Sequence, residues 1–355
     1  MVSVSFFRPN LKGISVNRKL LEEVCRTPGI PGYEDAIQDV VQEFLDRVCD
    51  QVSRDLVGNV IGVKRATHPP VDGNRPLRVI LAAHADEVGM MVKHIDGDGF
   101  IRFQGVGGLN PQVLVSQRVI IHGRKPVHGV IVPRRNGQPL PTLEEMLIDV
   151  GLSREKVCES VEVGDIITFA QELVELNDKV YMGRNFDDRI GTYCLLDVMK
   201  HLGPTSVDVY AVSTVQEEMG VRGMPMAAYA IEPDIGLALD GSVTWGAHIP
   251  KHEHICAMGE GTGIYIMDRL MIGDRRLVQF LFDLCEQNSI AYQRNIGGGT
   301  DASAIQRTKA GALSTTIGAP VRYMHSTVQL CHEDDIEATV ALLKVFLEHA
   351  HELIP

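Results

Sequence analysis

The sequence predicts an α/β fold: a largely parallel sheet covered by helices on both faces, with a smaller β domain inserted. Three observations carry this. The runs at 77–83, 207–215 and 234–239 are apolar or β-branched without polar alternation, as in strands buried on both faces. Helical spacing of apolar residues recurs around them. Between Met90 and about Lys179 the texture changes to short, hairpin-forming strands with few helical patterns. The expected division is therefore 1–89 and 180–355 as the larger domain and 90–179 as the insertion.

Composition narrows the functional classes. At 355 residues the chain exceeds one typical domain, and 45% hydrophobic with 23% charged residues are ordinary globular values. No apolar run approaches the roughly 18 residues that span a bilayer. Residues 1–13 carry Phe6, Phe7, Arg8 and Lys12 but no continuous apolar stretch with a cleavage site, so no signal peptide is expected and a cytoplasmic location is. Seven scattered cysteines without CxxC spacing argue against a disulfide framework and read as small buried hydrophobes. A net charge of -12 disfavours nucleic acid and anionic membranes as partners, because a phosphate backbone needs a basic face.

In chain order, Leu20, Leu21 and Val24, then Ile37, Val40, Val41, Phe44 and Leu45, are spaced for two helices separated by a break at 28–33, with Tyr33 and Glu34 beside it. Strands follow at 57–63 and 77–83, divided by a turn-rich stretch at 66–76. In the insertion, 90–93 and 100–104 flank one turn, 118–121 and 129–132 flank another, 133–141 is a polar loop, and 163–169 is a further strand. The buried face of Ile190, Tyr193, Leu195, Leu196, Val198, Met199 and Leu202 puts Asp187 and Asp188 at a helix N-terminus, where capping and the helix dipole favour acids in any case. The strand 207–215 ends in Glu217 and Glu218; a short helix at 224–229 precedes the strand 234–239, which ends in Asp240. A helix at 275–287, a strand at 291–295, a Gly-rich turn at 297–301 opening another helix, a strand at 311–317 and a helix at 335–353 complete the chain. The turn lacks GxGxxG and Walker A spacing, so no nucleotide site is expected.

Ligands of open α/β sheets bind outside the carboxyl ends of the strands. Four strands here end, directly or after a short loop, in metal-ligand side chains: His84, Glu218, Asp240 and His325. Asp187 stands at a helix start. Each alone reads equally well as a solvated loop residue or a cap. Together they do not, because crowded carboxylates repel one another and shift in pKa unless a cation compensates. Two imidazoles and three carboxylates suit zinc, cobalt or manganese. Two such metals about 3.5–4 Å apart, bridged by a carboxylate, can activate one shared water and polarise a carbonyl.

These residues lie in segments that resemble the M42 family of dinuclear metallo-aminopeptidases, relatives of the tetrahedral aminopeptidases and of proteins once labelled endoglucanase. The segments are Pro28-Gly-Ile-Pro-Gly-Tyr-Glu34, Ala83-His-Ala-Asp-Glu-Val-Gly89, Phe186-Asp-Asp-Arg-Ile-Gly191, Val215-Gln-Glu-Glu-Met-Gly220, Ala238-Leu-Asp240, Gly298-Gly-Thr-Asp-Ala302 and Arg322-Tyr-Met-His-Ser326. The resemblance implies an α/β/α sandwich catalytic domain of the zinc-peptidase type, interrupted by a PDZ-like β-barrel domain that takes part in dimerisation. It implies two divalent metal ions per subunit, zinc foremost, with cobalt or manganese as options. Asp187 would bridge them, Glu218 and His325 completing one metal's ligands and His84 and Asp240 the other's. Glu217 would be the general base, acting on a water between the metals; Asp86 would orient the His84 imidazole, and Asp188 would not be a ligand. Peptides would lose N-terminal residues, and the protein would be a homo-oligomer, a dimer or a dodecamer built from dimers. Asn185, Met219 and Thr327 depart from residues frequent in relatives, which leaves specificity and assembly open.

Other functions stay in view. A deacylase of small amides would use the same metals. A glycoside hydrolase needs two carboxyl groups roughly 5–9.5 Å apart across a sugar, whereas Glu217 and Glu218 are adjacent. A non-catalytic assembly protein has no need of Glu217. Arg222 reads as a surface or ion-paired residue rather than a substrate contact.

Overall fold

The computed structural model describes residues 15–70, 75–133, 141–244 and 256–354. The N-terminal stretch expected to lack a signal peptide, residues 71–74 of the turn-rich stretch and residues 134–140 of the polar loop lie outside the described residues.

The centre of the molecule is an eight-stranded sheet. In spatial order its strands are Gln51–Arg54, Val60–Lys64, Asp208–Thr214, Arg78–His84, Ile235–Leu239, Leu313–Gly318, Thr262–Met267 and Tyr292–Ile296. The four strands from Asp208–Thr214 to Leu313–Gly318 run parallel. Thr214 lies beside His84, Ala238 beside Ala82 and Leu239 beside Ile317, so all four carboxyl ends reach one edge at the same level.

The unbroken apolar runs have a direct cause. Every residue of Asp208–Thr214 is buried, because the sheet is covered on both sides. Val79, Leu81 and Ala83 face a core shared with the helices Arg18–Arg26, Asp35–Leu45, Phe186–His201, Arg275–Gln287 and Glu333–His349, while Ile80 and Ala82 face Met224, Ala227, Ala228, Ala304 and Ile305 on the other side. Each fully buried Val, Leu, Ile or Met among them contributes about 1.5–3 kcal/mol, and each alanine less. Local signals fix where the helices start. Asn17 Oδ1 accepts from Leu20 N at the first helix, and Asp274 Oδ1 accepts from Arg276 N and Leu277 N at Arg275–Gln287.

Six further strands form a closed barrel, in spatial order Gly89–Ile95, Ile101–Val106, Met146–Asp149, Pro126–Pro133, Arg118–His122 and Ile166–Phe169. It has its own core of Met90, Val92, Ile101, Val119, Ile121, Ile131, Ile148 and Ile167. Both expected hairpins are present. Closure removes the exposed strand edges that so small a sheet would otherwise present.

A second, five-stranded sheet has no counterpart in the sequence reading: Val174–Asn177, Val180–Gly183, Gln329–His332, Pro320–Arg322 and Ser242–Thr244. Two of its strands are three residues long and one is exposed throughout, so neither length nor alternation marks them. Its effect is to redirect the chain after Leu313–Gly318. Where a loop was expected there is a strand, and His325 follows it in the turn before Gln329–His332.

The closing helix is anchored by an acid in its first turn. Asp335 is fully buried and accepts from Gly259 N at 2.6 Å and Gly261 N at 2.8 Å, tying the approach to Thr262–Met267 to the helix. Burial pushes its pKa up to about 7, against the two hydrogen bonds that lower it. The folded state thus keeps a proton that the unfolded chain releases first, and this group's contribution to stability falls as pH rises from about 4 to 7. The melting-temperature advantage of the wild type over Asp335→Asn is expected to shrink between about pH 5 and pH 8. A gap that does not change with pH would contradict this.

Candidate active site

At the carboxyl edge of the parallel strands, the five residues expected to hold metal come together as two overlapping groups. His84, Asp187 and Asp240 form one, and Asp187, Glu218 and His325 the other; within each, ligand atoms lie within 4.8 Å of one another. Asp187 is common to both. Its Oδ1 is 3.2 Å from His84 Nε2 and its Oδ2 3.0 Å from His325 Nε2, which is also 3.2 Å from Glu218 Oε1.

The fold supplies each side chain by a separate device. His84 is the last residue of Arg78–His84. Asp187 and Asp188 have non-helical backbone angles at the head of Phe186–His201, their shared peptide is cis, and Asp187 N donates to Gln329 Oε1 at 2.9 Å. Asp188 faces the backbone, accepting from His84 N at 3.3 Å and Gly191 N at 2.9 Å, so it braces Asp187 against the strand that carries His84. Asp240 leaves Ile235–Leu239 against Gly318, where a Cβ would meet the Asp240 carbonyl oxygen at 1.6 Å. His325 adopts a left-handed backbone (φ 58°), as does Tyr323 two residues earlier (φ 61°), conformations that L-residues adopt at a cost.

Glu217 and Glu218 lie on a loop whose backbone is held by carboxylates. Asp86 Oδ1 accepts from Glu217 N and Oδ2 from Glu218 N, each at 3.0 Å. With both oxygens engaged there, Asp86 meets His84 through its main-chain oxygen, 3.0 Å from Nδ1, while its carboxylate is 3.6 Å away. Arg222 is exposed.

Electrostatically, the cage is a set of like charges held together. Burial and the neighbouring Asp188 and Asp187 push Asp240 well above the usual carboxylate range. Burial, against the pull of His84, together with Asp240, Asp301 and Glu218 does the same to Glu217. For the imidazoles burial favours the neutral form, but Asp187 and Asp86 outweigh it at His84, and Asp187 and Glu218 at His325, so both are raised. Asp187 is lowered despite burial, because it touches both imidazoles. A cation placed among these groups would relieve the repulsion. Nitrogen–oxygen spacings of 3.0 to 3.2 Å approach the edge of about 3.4 Å set by ligands ~2.0–2.2 Å from a tetrahedral metal.

Several contributors were not singled out from sequence. Asp301 is buried beside the cage and accepts from Thr214 Oγ1 at 2.6 Å; its motif was quoted, but without an assigned role. Arg184 Nε and Nη2 grip the buried Glu87 at 2.8 and 3.0 Å, fastening the segment leading to Asp187 to the one following His84. Gly107 and Gly108, just past the barrel strand Ile101–Val106, press on the cage from outside. A Cβ on Gly108 would lie 2.8 Å from His325 Nδ1 and one on Gly107 3.4 Å from Glu218 Cβ. Only contacts through folded space reveal these roles.

A carboxylate-and-imidazole cage at the carboxyl edge of a parallel sheet, with a further glutamate beside it, defines a metal-dependent hydrolase. The family described as M42 glutamyl aminopeptidase matches residues 58–342. A lysyl aminopeptidase of Pyrococcus furiosus is 32% identical over 349 residues, covering 94% of this chain and 97% of that one. Among solved structures, an aminopeptidase of the archaeon Desulfurococcus kamchatkensis superposes with a TM-score of 0.90 at 34% identity, covering 94% of this chain and 95% of that one. The TET1 peptidase of Pyrococcus horikoshii, which can assemble into a tetrahedron or a large octahedral shell, gives 0.82 at 28% identity over 93% and 98%. The chain belongs to the M42 family of peptidases. It is a metal-dependent aminopeptidase, a hydrolase of peptide bonds.

The contact at Gly318 makes a sharp test. Gly318→Ala must displace Asp240, and turnover is expected to fall on the order of 10²-fold, the effect of about 1 Å of misplacement, with weaker metal retention on dialysis and an unchanged circular-dichroism spectrum. Wild-type metal retention would show that Asp240 is not held by this contact.

Proposed function

We propose that the chain removes N-terminal residues from peptides with two divalent cations, zinc in the first instance, held by His84 and Asp240 on one side and by Glu218 and His325 on the other. The observation that carries this reading is Asp187, whose two oxygens face the two imidazoles separately, as a bridging ligand requires. Cations bound there would supply Lewis-acid polarisation of the scissile carbonyl and would lower the pKa of a water.

The protein's own groups do the rest. Glu217 belongs to neither ligand group, so its carboxylate is left to move protons. It accepts one from the attacking water as the C–O bond forms and returns it to the leaving nitrogen as the C–N bond breaks. Burial and the acids around it raise its pKa, the direction that suits a group which must take up a proton and give it back. Asp86 fixes the backbone at Glu217 and Glu218 and, through its main chain, faces His84. The surrounding acids favour a substrate that brings a positive charge, which a free N-terminal ammonium does. Because one relative is named for lysyl and the family for glutamyl substrates, the preferred side chain is left open.

The same reading treats residues 1–89 and 180–355 as an α/β/α sandwich catalytic domain and residues 90–179 as a PDZ-like domain that takes part in dimerisation. Homo-oligomerisation is supported by the shells formed by the Pyrococcus horikoshii relative. A cytoplasmic location is supported by seven cysteines all free of disulfides. Among the described residues no helix is long and apolar enough to cross a membrane.

Glu217→Gln is expected to lower kcat by about 10²–10⁴-fold while bound metal, measured by mass spectrometry, is unchanged; retained turnover would remove Glu217 as the base. Acetylating the N-terminus of a good peptide substrate is expected to abolish cleavage. Equal cleavage of acetylated and free peptides would replace the aminopeptidase reading with a deacylase.

A further inference from the structure

The loop that carries Glu217 is held by a second buried carboxylate far away in sequence. Glu34, in the break between the first two helices, is 5% exposed, and its Oε1 accepts from Gln216 N at 2.9 Å and from Gly32 N at 2.9 Å. With Asp86 receiving the next two amides, three successive N–H groups, at Gln216, Glu217 and Glu218, all point at buried carboxylates. Each bond ties one peptide of the turn to a side chain anchored in another part of the fold. Gln216 needs such a hold because it has a left-handed backbone (φ 55°) without being glycine.

We propose that Glu34 is a positioning residue for the proton carrier: by accepting from Gln216 N it keeps the 215–218 turn in the conformation that holds Glu217 inside the acidic cage. This rests on Glu217 being the base. The working element is the Oε1 acceptor rather than the charge. Burial pushes Glu34 up to about 7, and a neutral side chain with the same oxygen makes the same two bonds.

The test compares metal-reconstituted Glu34→Ala, Glu34→Gln and Glu217→Gln, using leucyl, lysyl and glutamyl para-nitroanilides and amide hydrogen exchange at residues 216–218. Glu34→Ala is expected to lower kcat about ten- to a hundredfold, with KM within about twofold and metal content unchanged, and to speed exchange at those amides. Glu34→Gln is expected to recover most of both losses. Wild-type kcat or unchanged exchange in Glu34→Ala overturns the proposal, as does a Glu34→Gln variant no better than alanine or a kcat loss that follows loss of metal. Failure of the base assignment is read separately, from an active Glu217→Gln; exchange in the Glu34 pair still reports whether the turn is held.

Discussion

Everything at the sheet edge answers to mutual repulsion among buried and half-buried carboxylates. Asp187, Glu217, Glu218, Asp240 and Asp301 gather around two imidazoles, and no apolar packing favours that arrangement. It persists because each carboxylate is delivered by an element anchored elsewhere: parallel strands in register, a helix head braced by Asp188, a turn reached through a second sheet. Glu87 and Arg184 fasten two of these suppliers to each other. The hydrophobic core thus does electrostatic work indirectly, by fixing strand ends that would otherwise drift apart.

The same logic explains the division of labour among acids that look alike in sequence. Asp187 and Asp188 are neighbours, yet one faces both imidazoles and the other the backbone amides of His84 and Gly191. Glu217 and Glu218 are neighbours, yet only Glu218 joins a ligand group. Asp86 and Glu34 spend their acceptor oxygens on the main chain of the loop that presents the pair. A carboxylate's role here is set by where its oxygens point.

Much of this was legible in the residues. The parallel strands were readable because burial on both faces leaves continuous apolar runs, and the cage because three such runs lead into His84, Glu218 and Asp240, with His325 beyond a fourth. The two hairpins of the barrel were readable from their turn-flanked strands. What escaped lacks a local signature. The strands Ser242–Thr244 and Pro320–Arg322 are too short to show a period, and Val174–Asn177 is exposed throughout. The close approach of Gly318 to Asp240 and the reach of Glu34 to Gln216 are relations between distant positions that no window of sequence contains. Asn185, noted as a departure, is buried and donates to the Cys25 carbonyl at 3.1 Å, so its amide belongs to the packing beside Asp187.

The glycine pair beside the barrel bears on how far the molecule can be dissected. Gly107 and Gly108 bring bare peptide groups against Glu218 and His325, so the barrel, through the segment that leaves it, covers one side of the cage. Excising it, or grafting another module between the same two strands, would strip the histidine side of its cover while leaving all five ligands in the sequence.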